Sequence, residues 1–159
     1  MKHTIKIKKW NDVIEEYTAA SANIRPGNLL VLNAAGNVDR HGDGTGQKAV
    51  LSMFALEDEL QGRGIDDRYA NGSPVQVWFP GRGDVVYALI ADEEEIAIGD
   101  RLVPAAGGKL KKATPTESMS SDPHEQFEPV VGVAEEAVDL TTSTGAWGVT
   151  GRRICVRII

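Results

Sequence analysis

Nucleophilic catalysis needs a base beside the nucleophile and a third group that orients the base, so the histidines and the single cysteine are considered first. The histidines are His3, His41 and His124, which lie in the N-terminal segment and in two predicted loops. No Gly-x-Ser-x-Gly elbow is present. Cys155 lies on the arginine-bearing side of a predicted strand, where neighbouring cations could lower the pKa of its thiol, although a lone strand cysteine is more often a packing residue. The sequence therefore predicts neither a serine nor a cysteine hydrolase.

Metal ligands could come from one dense group, Asp39, His41 and Asp43, in a glycine-rich stretch. A calcium loop that starts at Asp39 would need a carboxylate at its twelfth position, which is Val50. The stretch also lacks the Gly-Lys-Ser/Thr ending of a phosphate-binding loop. We interpret it as the tip of a hairpin and expect neither a metal nor any other cofactor.

Two further segments contain paired acidic residues. Residues 64–69 (GIDDRY) resemble the substrate-binding hairpin of the trimeric dUTP pyrophosphatases, and residues 84–92 (DVVYALIAD) resemble the first motif of those enzymes. The two segments occur here in reversed order, and the glycine-rich C-terminal arm that closes over the nucleotide is missing. A nucleotide hydrolase of this type is therefore a remote alternative, and the expectation is that the chain is not an enzyme. Residues 82–84 (RGD) are interpreted as a tight turn between two strands.

The composition is that of one globular domain, predicted to span residues 1–159. The net charge of −6 offers no general basic field for phosphates, so nucleic acid is not an expected partner. No stretch approaches the roughly 20 apolar residues that cross a bilayer, and a membrane partner is not expected either. Basic residues gather near the two ends, whereas residues 92–95 are all acidic. These charges form either solvated faces or a bipolar molecule that docks between acidic and basic neighbours.

Short segments of period two, interrupted by glycine, predict strands and turns over long helices. Half-buried strands are predicted at both termini, a central strand where both faces are apolar, and buried strands in two apolar runs; the segments are 4–8, 153–158, 75–78, 85–90, 29–33 and 49–55. In the last terminal strand, Arg153, Cys155 and Arg157 are placed on the outer side.

Four other segments have patterns of their own. Residues 24–36 and 98–107 are similar to each other, and each predicts a hairpin. Residues 10–17 fit a helix or a strand, with a strand preferred. Residues 65–70 predict a short helix that stops at a following Asn-Gly pair. The proline-rich residues 113–129 and the glycine-rich residues 141–151 predict long exposed loops.

Several segments share their order and spacing with a known family; these are residues 24–30 (IRPGNLL), 54–69 (FALEDELQGRGIDDRY), 77–89 (VWFPGRGDVVYAL), 98–100 (IGD), 131–139 (VGVAEEAVD) and 153–159 (RICVRII). In these segments the chain resembles the head decoration proteins of tailed bacteriophages, also called capsid cement proteins. The resemblance is densest in residues 24–112 and extends to most of the chain. The shared motifs are structural, so no catalytic residue is carried over.

The resemblance implies a mainly β fold, a small β-barrel or β-sandwich of the β-tulip kind. It also implies a structural protein of the virion, assembled in the host cytoplasm, that binds the outside of the head as a trimer. There it would bridge and stabilise the major capsid subunits. The expected partners are thus the major capsid protein and further copies of this chain. The alternative is another β-barrel binding module of the virion, from a tail or baseplate or one that binds glycans.

Residues that could contact such partners lie in a basic N-terminal arm, residues 1–10, and in the glycine-rich loop. The arm contributes four lysines and an aromatic residue and the loop a second aromatic residue, and aromatic residues are favoured interface anchors. The predicted contacts are Lys2, Lys6, Lys8, Lys9, Trp10 and Trp147.

Overall fold

The computed structural model describes residues 2–10, 12–42, 51–114, 129–141 and 152–159, and in these residues the chain is mainly β. The strands are β1 (Lys6–Lys8), β2 (Val13–Thr18), β3 (Leu30–Leu32), β4 (Val38–Arg40), β5 (Phe54–Ala55), β6 (Pro74–Phe79), β7 (Val85–Leu89), β8 (Glu95–Ile96), β9 (Arg101–Ala105), β10 (Lys109–Lys112), β11 (Gly132–Ala134), β12 (Val138–Asp139) and β13 (Arg153–Ile158). Two 3₁₀ turns, Glu59–Gln61 and Ala106–Gly108, accompany them. No helix in these ranges is long and apolar enough to cross a membrane.

The strands form four antiparallel sheets. The largest has six strands in the order β1-β7-β13-β11-β9-β10, and a second has the order β2-β6-β5. The pairs β3-β4 and β8-β12 complete the set. Among the strands described, no sheet closes into a barrel, so of the two expected architectures the sandwich-like one is found.

Two apolar clusters lie on opposite faces of the three-stranded sheet. Trp78 and Phe54 face the six-stranded sheet, where they pack with side chains from β7, β9 and β13. Val75 and Val77, on the other face of β6, pack with Leu30 and Val38 from the β3-β4 pair. Because successive side chains of a strand point to opposite faces, β6 contributes to both clusters.

Most strands predicted from alternation are confirmed. β6 and β7 fall within two residues of the predicted bounds, and β7 lies between β1 and β13 as a central strand should. Residues 13–18 form a strand and not a helix. Of the run 49–55, the described part forms a strand only at Phe54–Ala55, and Leu51 is exposed.

Both internally similar segments form hairpins, as predicted. β3 pairs with β4 and β9 pairs with β10 in antiparallel register. In the first copy, Gly27 adopts a φ of +86°, and an added Cβ would lie 2.8 Å from the carbonyl oxygen of Tyr87. Directly after the second copy, Gly108 has a φ of +69°, and an added Cβ would lie 2.7 Å from the carbonyl oxygen of Leu29. Only glycine fits both the conformation and the space at these two positions.

The short helix predicted at 65–70 is wrong. The carbonyl oxygen of Ile65 accepts a hydrogen bond of 2.6 Å from Arg153, and the N–H of Tyr69 donates to Ile24 at 3.0 Å. In a helix the N–H of Tyr69 would donate to the carbonyl oxygen of Ile65. Here both groups bond to partners that are distant in the sequence. A 3₁₀ turn forms upstream at Glu59–Gln61, where the Asp58 carboxylate accepts from the Gln61 N–H at 3.3 Å.

The second terminal strand was predicted to be half-buried, and this is also wrong. Arg153 and Cys155 are buried as well as Ile154 and Val156. The loops that contain Pro26 and Ile65 lie against the outer face of β13 and account for the burial of Arg153. The predicted loops 113–129 and 141–151 lie almost entirely outside the described residues.

Candidate interaction surface

The side chains singled out for metal binding do not converge in the part of the chain that is described. No group of three or more His, Cys, Asp or Glu side chains there could hold a metal ion. His41 is buried, with its Nδ1 atom 2.7 Å from the carbonyl oxygen of Gly42, and Asp39 accepts from the Ser21 hydroxyl at 2.8 Å. Asp43 and His124 lie outside the described residues.

Cys155 is a buried packing residue. Its N–H donates to the Glu136 carboxylate at 2.9 Å. Burial raises the pKa of its thiol, and the neighbouring Lys2 offsets this effect only in part. The idea that nearby cations lower the pKa of this thiol is therefore wrong, because the loss of water outweighs the one cation that reaches it.

In the two dUTP pyrophosphatase-like segments, Asp84 and Asp66 form contacts within the fold. Asp84 is fully buried and accepts from the Gly81 N–H at 2.8 Å and from the Trp10 N–H. Residues 82–84 thus belong to a tight turn, as predicted. Asp66 forms an ion pair with Arg153 at 2.9 Å.

Arg153 links the outer face of β13 to the loops that contain Pro26 and Ile65. Its side chain is 3% exposed and donates to the carbonyl oxygens of Pro26, at 3.0 and 3.1 Å, and Ile65, at 2.6 Å. Sequence alternation placed this arginine towards solvent, and no local signal distinguishes it from the exposed Arg152. Its partners lie about 90 to 130 positions away in the sequence.

Most of the basic arm is attached to the domain. Ile5 is buried and its N–H donates to the Glu57 carboxylate at 3.0 Å, and the next residues form β1. Lys2 pairs with Glu136 and lies 5.1 Å from the centre of the Tyr87 ring. Burial alone would lower the pKa of Lys2, but hydrogen bonds to Glu136 and Cys155 raise it above its ordinary value.

The end of the arm forms the most exposed part. Lys6 and Lys9 both pair with Asp12, and the hydrogen bond from Lys9 is the main reason that the pKa of Asp12 is lowered. Lys8 is exposed, and the Trp10 side chain is 88% exposed although its N–H is held by Asp84. Trp147 lies outside the described residues.

An open strand edge follows Trp10. β2 is the outer strand of the three-stranded sheet, and nearly all of its side chains are exposed. Val13 is 43% exposed and Ile14 is 37% exposed. Alternation predicted this strand. It did not predict the exposure of both faces or of the outer edge, because these depend on which other parts of the fold pack against the strand.

A shallow depression of about 430 Å³ lies at the β8-β12 pair. Its lining is polar at Glu95, Lys112 and Asp139 and includes no aromatic side chain. Lys112 pairs with Asp100 at 2.8 Å, and this contact raises the pKa of Lys112 and lowers that of Asp100. Glycan sites generally stack sugar rings on aromatic side chains, and this depression provides none.

Comparison with known proteins yields a likeness in fold. No protein-family model and no curated protein matches the chain. Among solved structures, the fold is similar to that of the N base of the head fiber gp8.5 of bacteriophage phi29, with a TM-score of 0.52 and 16% sequence identity. The likeness covers 94% of this chain and 95% of that one. At this level of sequence identity, the likeness shows a shared fold.

Proposed function

We propose that this protein is a structural component of a tailed-bacteriophage head that binds the outside of the shell. The observation that carries the proposal is the fold likeness to a head fiber base, because it extends over nearly the whole of both chains. The segment resemblance to head decoration proteins supports the same role independently. Asp84, Asp66 and Arg153 bind turns and strands of the fold, which suits a structural protein.

Within this role, the protein binds as a trimer and bridges neighbouring major capsid subunits, and its location is the surface of the virion. Many weak contacts, repeated over the shell, would stabilise the head without any deep pocket. Trp10 is the proposed anchor, since a large exposed aromatic ring gains much on burial at an interface. Lys9 provides positive charge beside it.

The test uses undecorated shells, assembled from the major capsid protein whose gene lies nearest to the gene of this protein. Purified protein should cosediment with these shells and saturate at a fixed number of copies per shell. Trp10→Ala should weaken this binding by tenfold or more, while the free energy of unfolding changes by less than about 0.5 kcal/mol. Deletion of residues 1–10 is unsuitable, because it removes β1 and the buried Ile5.

Leu60→Ala is the matched control, because this side chain is 91% exposed at a different place on the surface. Its binding should equal that of the unchanged protein. Absence of cosedimentation by folded, unchanged protein would contradict the proposal. Release of pyrophosphate from dUTP in the presence of Mg²⁺ would instead favour the remote enzymatic alternative.

A further inference from the structure

β1 and β2 each form the outer strand of a sheet, and they are neighbours in the chain. The backbone N–H of Tyr87 donates to the carbonyl oxygen of Ile5 at 2.9 Å, so the N–H and C=O of Lys6 point away from β7. No described strand lies beyond β1. The outer edge of β1 therefore presents the backbone N–H and C=O of Lys6, and a register shift between Lys6 and Lys8 interrupts this pattern before Lys8.

The edge of β2 can be resolved in the same way. Ala19 donates to Ser73 at 2.9 Å, so in this antiparallel pair the odd-numbered residues bond to β6. The carbonyl oxygen of Gln76, opposite Glu16, instead accepts from the N–H of Leu56, the residue that follows β5. It follows that Ile14 and Glu16 turn their N–H and C=O to the outer edge.

Part of this edge is closed. The N–H of Ala20 donates to the carbonyl oxygen of Val38 at 2.8 Å, and a parallel bridge joins Ala19 to Val38. β4 thus covers the far end of β2. The open part is Val13 to Glu16, about as long as β1, and among the described residues no strand lies beyond it.

The charges of the two edges are opposite. β1 contains Lys6 and Lys8, whereas β2 contains Glu15 and Glu16. A contact between two β2 edges would place glutamates against glutamates, and a contact between two β1 edges would place lysines against lysines. Like charges directly across a strand pair are destabilising and unlike charges are favourable, so both symmetric contacts are disfavoured.

We propose that β1 of one copy of this chain pairs with the Val13–Glu16 edge of β2 in the next copy. This inference rests on the self-association in the proposed function and specifies its contact. Such a contact joins two different surfaces, and contacts of this kind generate closed rings when the rotation between copies permits it. Each contact contains few backbone hydrogen bonds, so ring closure supplies the remaining stability.

Glu16→Pro tests the backbone part. The N–H of Glu16 faces the open edge, so proline removes a donor that the sheet of the single copy does not use, and proline is tolerated on an outer strand. In analytical ultracentrifugation we expect Glu16→Pro to shift the protein from trimer to monomer at concentrations where the Glu16→Gln control, which keeps the N–H, is still trimeric. Far-ultraviolet circular dichroism checks that both variants are folded.

Charge reversal tests the pairing of the two edges. Lys8→Glu and Glu16→Lys should each raise the dissociation constant by about tenfold or more, and the double variant should recover most of that loss. The effect should weaken at 1 M salt, where surface charges are screened. Recovery would not follow if the two residues contacted a different protein or different surfaces.

An unchanged trimer in Glu16→Pro, or a double variant as weak as the two single ones, would overturn the inference. So would an unchanged protein that is monomeric at all concentrations. The cosedimentation test is independent of these outcomes. Shell binding by the unchanged protein together with a Glu16→Pro trimer would leave the proposed function standing and refute only this contact.

Discussion

Replacing Arg153 by methionine should destabilise the fold strongly. The side chain is 3% exposed, and methionine fills similar volume but donates no hydrogen bond. The carbonyl oxygens of Pro26 and Ile65 would lose their donor, and Asp66 would lose its cation. Leaving two buried carbonyl oxygens without a donor costs about 1–3 kcal/mol each. Asp66, whose side chain is 42% exposed, adds little because water replaces the lost cation. The expected total loss is about 3–5 kcal/mol.

The loss is measurable by urea unfolding and by thermal unfolding, each followed by circular dichroism. For a domain of this size, where 1 kcal/mol shifts Tm by about 2–4 °C, the expected decrease in Tm is roughly 6–20 °C. Arg152→Met is the matched control, since the neighbouring arginine is exposed, and it should change stability by less than about 0.5 kcal/mol. If the two variants unfold at the same urea concentration, Arg153 does not tie the outer face of β13 to the loops that cover it.

Three further outcomes follow from the structure. Gly27→Ala should lower the free energy of unfolding, measured in urea, by about 2 kcal/mol or more. Gly36 also has a positive φ, but there is open space around an added methyl group, so Gly36→Ala should lower it by only about 1–2 kcal/mol. Cys155 should react with a disulfide reagent at pH 8 only after unfolding, because it is buried and burial raises the pKa of its thiol; fast reaction in the native state would contradict this. Burial alone would raise the pKa of Glu136, but hydrogen bonds from Lys2 and from the Cys155 N–H lower it, so its contribution to stability is present above the unfolded pKa and is lost as pH falls through the lower, folded value. Lys2→Met should flatten this acid-side loss in urea titrations from pH 7 to pH 3, and an unchanged pH dependence would refute it.

The strands were predictable where alternation and burial agree. β6 and β7 carry apolar residues at every second position or on both faces, and each pairs on both sides, so local pattern and tertiary position give the same answer. The hairpins were predictable for a related reason. Their glycines adopt positive φ at turns, which other residues rarely do, and the sequence marks those turns directly.

Tertiary contacts overrode local pattern elsewhere. Residues 65–70 have a helix-like pattern, but Arg153 and Ile24 take the backbone groups that a helix needs. These partners are distant in the sequence, so no window of 15 residues includes them. The same long-range contact buries Arg153, which alternation alone placed in solvent.

The candidate surface was only partly predictable. A basic arm with an exposed tryptophan was visible in the sequence, and Trp10 is indeed exposed. The pairing of Lys2 with Glu136 depends on a residue 134 positions away in the sequence. The open edge of β2 depends on which strands lie beyond it. Edge position is a property of the assembled sheet, and no local signal specifies it.

We propose that this protein binds the outside of a phage head. Cryo-electron microscopy of undecorated shells, before and after incubation with the purified protein, tests it most directly. We predict new density at regular positions on the outer surface, into which the β-sandwich fits with Trp10 at the contact. Shells that gain no density while the added protein is folded and in excess would contradict the account.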